Sequence, residues 1–488
     1  MKNLRKLIVL VAVLVLSLTL ISTVHAAEIV ASGTHGDNLT WTLDDTGLLT
    51  ISGNGDMEEI TPAWKSYKVY GIIIEPGITS ISTGAFSELS ATSVQIPDSC
   101  VNFGAEAFRE CIYLESIELP NGVTHIPDMM FQDCTMLRSV NIPDTVVSIG
   151  DSAFYYAKLS EITLPDGLKS IGGCAFLGGA FTQVTIPSNV TEIPGSAFAS
   201  CTQLVDVNLH DNITSIGDRA FSDCISLKNI QLPENLVSIG ISAFSRTAIT
   251  EIYIPENVLY LGDACFSYSS LVEITIPSTV KEIGTSIFED CSNLASVHLP
   301  SNMTSIPDEM FWVCTSLTYI DLPDSVVSIG SNAFDSAGLL EIDLHEGIHS
   351  IGSKAFADCQ FESIIFPESL TSLGDGVCER SPNLLVAYLP QSLSVIPAYT
   401  FNTCTSLQVV FLPYNLQLIE RYAFLNCDSL AELYYAGTEE QLGQIVVENG
   451  NDALANALVY LLIVVTQNPE DVYAEVGDTA TFTVAANY

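Results

Sequence analysis

The chain has 488 residues, more than one ordinary globular core holds, and a formal charge of −41 from 57 acidic and 16 basic side chains. A surface this acidic repels phosphate backbones and anionic lipid headgroups, which argues against nucleic acid and membrane surfaces as partners. It suits a protein that stays dissolved outside a cell.

The first element in chain order is a secretory signal peptide. Lys2, Arg5 and Lys6 lead an apolar run from Leu7 to Leu20, and Val24-His25-Ala26 supplies a small-x-small cleavage site. Residues 1–26 are therefore expected to be removed, the alternative being an uncleaved membrane anchor. Without those three cations the charge is −41 − 3, about −44.

An internal repeat dominates the rest of the chain. The phrase Ser-Ile-Gly-x-x-Ala-Phe recurs, and its Phe slot is filled from Phe86, Phe108, Phe131 and Phe154 through to Phe401 and Phe424. Cys378 fills the one vacancy, giving sixteen units spaced by 22 or 23 residues. Long and short spacings alternate in pairs, so the pattern repeats every 90 residues, at Phe108, Phe198, Phe288 and Cys378. Within a unit, Leu114-x-x-Ile117-x-Leu119-Pro120 alternates as a half-buried strand does. Pro ends that strand in thirteen units, and a polar turn such as Asp144-Thr145 comes next. Val147-Ser148-Ile149-Gly150 reads as a second short extended piece, and Ala153-Phe154 as the start of a single helical turn carrying the ring inward. One unit cannot bury its own apolar face. Stacking makes each slot a continuous column, at ~4.8 Å per unit where strands pair directly.

Thirteen cysteines in an exported chain suggest disulfides. Nine of them, however, from Cys111 and Cys134 to Cys404 and Cys427, follow the Phe slot by three residues. A residue recurring at one slot is a packing choice, so buried free thiols are expected. Beyond the array, the apolar run Ala457 to Val465 is too short to span a bilayer and reads as a buried strand.

The repeat resembles the BspA-type, or Treponema-type, leucine-rich repeats of bacterial surface proteins over residues 72–435. The flanks fit the same likeness. Gly33 to Trp41 and Gly47 to Gly53 resemble the family's N-terminal segment, with His35 where relatives are expected to carry Cys, and Thr61-Pro62-Ala63-Trp64 its entry into the array. Tyr435 to Gln441 and Asn451 to Leu454 resemble its C-terminal cap. The implied fold is a β-rich, right-handed leucine-rich-repeat solenoid with a parallel concave sheet, short strands and single helical turns elsewhere. The expected order is signal peptide 1–26, N-terminal cap region 27–71, repeats 72–435, C-terminal cap 436–465 and an incomplete immunoglobulin-like domain 466–488. About 24 residues cannot close such a sandwich, so the chain is expected to be a piece of a longer protein, or its tail partly disordered.

Three groups of residues bear on function. His345-Glu346-Gly347-Ile348-His349 matches the zinc-protease pattern, which needs both histidines on one helical face. Here the repeat puts His345 in a Pro slot and Gly347 in a turn, a geometry that does not supply that face. No phosphate loop or nucleophile elbow is present, and no catalytic residue or cofactor is expected. The outward column of the concave sheet is mostly polar, from Glu118 to Asp343, and then becomes Ile365, Tyr388, Phe411 and Tyr434, with Val386 and Val409 beside it. Such an apolar patch either docks a protein or is covered by the cap or a following domain. Asp321, Glu341 and Asp343 fall on adjacent strands, where a solvated acidic face is the plain reading and a Ca²⁺ site the sharper one. The resemblance implies a secreted or cell-surface module binding an extracellular protein, such as a host or matrix protein. A structural spacer, or a scaffold for a catalytic domain, is the alternative.

Overall fold

The computed structural model describes residues 27–462, with the backbone of two further short strands, Val464–Val465 and Ala486–Asn487. The signal-peptide reading of residues 1–26, and nearly all of the immunoglobulin-like reading of the tail, lie outside the described residues.

The repeats form a parallel-strand solenoid. Sixteen units and one turn added at each end make about eighteen turns. Successive units pair in parallel register in two ladders. In the first, Ser139–Asn141 lies against Ser116–Glu118 with Val140 beside Ile117, so that inner positions stay inner. In the second, Ser148–Ile149 pairs with His125–Ile126 on one side and Ser170–Ile171 on the other. Gly150 closes that piece because a side chain there would strike the turn below: an added Cβ would lie 2.6 Å from the Asp128 backbone nitrogen.

The Ala-Phe segments are not helical turns. Each is a run of tight turns with two residues at positive φ, four apart, such as Glu106 (59°) and Glu110 (57°). A helical turn would close its N–H groups on itself. The left-handed residues instead direct alternate N–H groups to the next coil: Glu106, Phe108 and Glu110 donate to the carbonyls of Asp128, Met130 and Gln132 at 3.0, 3.0 and 2.7 Å. Each such conformation costs a non-glycine residue roughly 1–2 kcal/mol, which these inter-coil bonds and the buried ring offset. Gly84, Gly178 and Gly376 hold the same slots at positive φ, and were the sequence's one signal of this geometry.

The rings form the expected column. Fourteen of them, from Trp64 to Phe356, stack with centroids 5.2–6.1 Å apart and planes within 22°. Trp64 thus occupies a Phe slot and starts the core one coil earlier than the repeat count. The strands Ile29–His35, Leu39–Asp44 and Leu48–Gly53 form an antiparallel sheet that joins the first ladder through Gly71–Ile74, and His35 packs on Trp64 at 4.9 Å.

The thiols are free and serve as hydrogen-bond donors. Cys111, Cys134, Cys201 and their counterparts to Cys427 each direct Sγ at the slot-residue carbonyl of the preceding coil, at 3.0–3.3 Å. Ser381 makes the same bond to Phe356 through its hydroxyl. Burial pushes Cys111 and Cys427 up to about 12 and Cys291 up to about 11, so these three are not ready nucleophiles.

Candidate functional site

The first ladder is not continuous. It lapses at Ile162, Ile252 and Ile342, the first short unit of each 90-residue block, at Ile320, and between Ser93–Gln95 and Ser116–Glu118, which do not pair. Its longest run of repeat strands comes last: Ser363–Ile365, Val386–Tyr388, Val409–Leu412, Glu432–Tyr435 and Leu458–Leu461 pair in sequence, all parallel.

Exact register on those five strands aligns two columns on the open face. Ile365, Tyr388, Phe411, Tyr434 and Tyr460 make one, and Ser363, Val386, Val409, Glu432 and Leu458 the other. The four rings stack at 4.3, 4.8 and 5.1 Å with planes 12–18° apart. Stacking hides part of each ring, so Phe411 and Tyr434 are half-buried, while Ile365 (63%) and Tyr388 (38%) stay exposed. The Tyr434 hydroxyl donates to Glu432 Oε2 at 2.9 Å, which ties the two columns together and holds that phenol above its ordinary range. All six residues singled out from the sequence therefore come together on one surface.

Tyr460 is the member that sequence reasoning missed, because the cap lacks the Pro and Ile-Gly landmarks that number the repeats. The run from Ala457 was expected to be buried, and this is corrected. Leu458–Leu461 is a strand, yet all four residues are exposed, since it belongs to the last coil and no described residue stacks beyond it. The cap extends the aromatic column rather than covering it.

At the Ile342 lapse the face opens into a trough of about 570 Å³ beside Ile365, lined by Glu341, Asp343, Glu362, Gln360 and Asn383. Among the described residues no three His, Cys, Asp or Glu side chains converge as a metal set, so Asp321, Glu341 and Asp343 do not form one. The HExxH match is a turn. His345 accepts the Gly347 N–H on Nδ1 at 3.0 Å and directs Nε2 to the Pro323 carbonyl at 3.1 Å, while His349 Nδ1 meets the Gly347 carbonyl. His210 repeats the arrangement in its own Pro slot, which marks it as turn chemistry.

Comparison with known proteins agrees with this architecture. A leucine-rich repeat protein from Bacteroides ovatus superposes with a TM-score of 0.58 at 25% identity, over 87% of this chain and 98% of that one. A leucine rich cell surface protein from Faecalibacterium prausnitzii (TM-score 0.28, 20% identity, 86% of this chain and 98% of that one) and the pneumococcal vaccine antigen PcpA (0.42, 17%, 86% and 100%) are similar at lower scores. No curated protein matches the sequence. The family described as BspA type Leucine rich repeat region (6 copies) matches residues 62–180, 147–272, 260–385 and 327–451, and the chain belongs to that family.

Proposed function

We propose that this chain is a secreted or cell-surface binding module that docks an extracellular protein on the open face of its last five-strand ladder. The family points generally to protein interaction at a bacterial surface. The observation that carries the reading is the coincidence of the first ladder's longest unbroken run of strands with the Ile365–Tyr460 column. Elsewhere the same slots hold solvated residues such as Glu118, Asn141, Thr185 and Asn208. A spacer needs no such column, and an aligned aromatic surface excludes water over several strands when a partner covers it.

The test is binding of the secreted chain to a panel of purified extracellular-matrix proteins. Tyr388→Ser with Phe411→Ser should abolish capture while leaving the melting curve in place, because both side chains face outward. Tyr253→Ser, on the same slot several coils away, should leave capture intact. Unaltered capture by the double variant would end the proposal.

A further inference from the structure

Among the described residues, the ladder ends on an unpaired edge. Leu458 and Leu462 donate their N–H groups to the Ala431 and Tyr435 carbonyls. Alternation along a strand therefore points the N–H and C=O groups of Val459 and Leu461 the other way, where no described strand pairs with them. The same strand exposes side chains on both faces. Val459 and Leu461 end the two inner columns, over Leu433 and Tyr435, and Leu458 and Tyr460 end the two outer ones. The outer face of the Tyr460 ring is unstacked among the described residues.

The surroundings are one-sided in charge. Between Ser381 and Leu462 the sole Lys or Arg is Arg421, against seven carboxylates, among them Glu432, Glu439, Glu440, Glu448 and Asp452. Residues 463–488 carry four more carboxylates and no Lys or Arg, so neither that segment nor a second copy of the chain complements this end electrostatically.

We propose that the edge of Leu458–Leu461 accepts an extended cationic segment of the protein partner as a sixth strand. This rests on the ladder being a protein-binding face. The alternation of the last strand fixes the segment's pattern. Apolar side chains fall over Val459 and Leu461 and close the exposed core columns. Lys or Arg falls over Leu458 and Tyr460, where a cation meets the free ring face and the Glu432 carboxylate. The added main-chain bonds supply affinity and the alternating pattern supplies selectivity.

The probe is a labelled peptide of about eight residues alternating Lys with Val, titrated into the full secreted chain. Saturable binding is expected, weakening about tenfold as salt rises from about 50 to about 500 mM. A peptide with Glu for Lys should not bind. Leu461→Pro removes one outward N–H without touching the bonds to Glu432–Tyr435, and should weaken the Lys peptide by about tenfold with an unchanged circular-dichroism melt. Tyr388→Ser with Phe411→Ser, further along the ladder, should leave peptide binding intact. Absence of peptide binding, equal binding of the Glu peptide, or a silent Leu461→Pro would each overturn strand addition. Matrix-protein capture that is sensitive to Tyr388 and Phe411 but indifferent to Leu461→Pro would do so while leaving the binding face standing.

Discussion

Asn451 Oδ1 accepts the backbone N–H of Phe424 at 2.9 Å, the place where each earlier ring residue finds the carbonyl of the next coil, as Phe401 finds Ala423 at 2.8 Å. Its Nδ2 donates to the Glu420 and Glu448 carbonyls, both at 2.9 Å. One buried amide thus ends the turn ladder that the repeats would otherwise leave open. Asn451→Ala should cost about 1–3 kcal/mol, because it leaves the buried Phe424 N–H without its acceptor. Solenoids can unfold coil by coil, so the sharpest readout is hydrogen exchange at the Phe424 amide, which should speed up while amides near Phe154 keep their protection.

The ring column is interrupted at Cys378, and the block two before it shows what that slot tolerates. Phe181 packs edge-on between Phe176 and Phe198, each at 6.4 Å, and Phe361 packs the same way on Phe356. Phe198 and Cys378 hold equivalent slots, so a ring there has a precedent beside just such a neighbour. Cys378→Phe should be neutral or stabilising, within about 1 kcal/mol, where overpacking would cost roughly 1–3 kcal/mol. Denaturant unfolding of the two chains decides between them.

The buried thiols make stability fall at high pH. Unfolded, they ionise near 9; folded, Cys291 sits at about 11 and Cys111 and Cys427 at about 12. The folded state therefore holds its thiol protons to higher pH, so this stabilisation is complete below pH 9 and is lost progressively from there to about pH 12. Cys111→Ser with Cys427→Ser should flatten the loss above pH 9 relative to the parent. Near neutral pH the pair should cost little, because Ser381 already makes the equivalent bond in its own coil. Melting curves at pH 7 and pH 10 test both halves.

His345 is a turn residue by the bonds it makes, which gives a direct prediction. His345→Pro restores the residue that thirteen other units carry in that slot, and should hold or raise the melting temperature. Chelators should leave the melt of the parent chain unmoved. A drop of several degrees on either treatment would assign the histidine a role that its hydrogen bonds do not.

Much of this was readable in the residues because a repeat multiplies weak signals. One Phe proves nothing, but the same Phe every 22 or 23 residues fixes a column, and the Cys slot three positions on fixes buried thiols. The sheet register came from the same arithmetic, which is why Ile365, Tyr388, Phe411 and Tyr434 fell into line. What was not legible depends on backbone conformation or on the end of the array. The positive-φ residues at Glu106, Met129 and Ser242 look like ordinary side chains, and three scattered glycines are a thin hint of them. Tyr460 and Asn451 each occur once, outside the period, so nothing in the pattern marks them. The run at Ala457 reads as core because its composition matches core strands. Only its place as the last coil leaves it exposed.

The binding-face assignment requires the aromatic column to be an open surface on the full chain. Brief acetylation with N-acetylimidazole, followed by peptide mapping, measures this directly. Tyr388 and Tyr460 should be modified in the free chain while the buried Tyr435, whose hydroxyl bonds the Tyr414 carbonyl at 3.1 Å, is spared. A bound matrix protein should protect Tyr388 and Tyr460. If both are already protected in the free chain, some other part of the molecule covers the ladder, and the binding-face assignment is wrong.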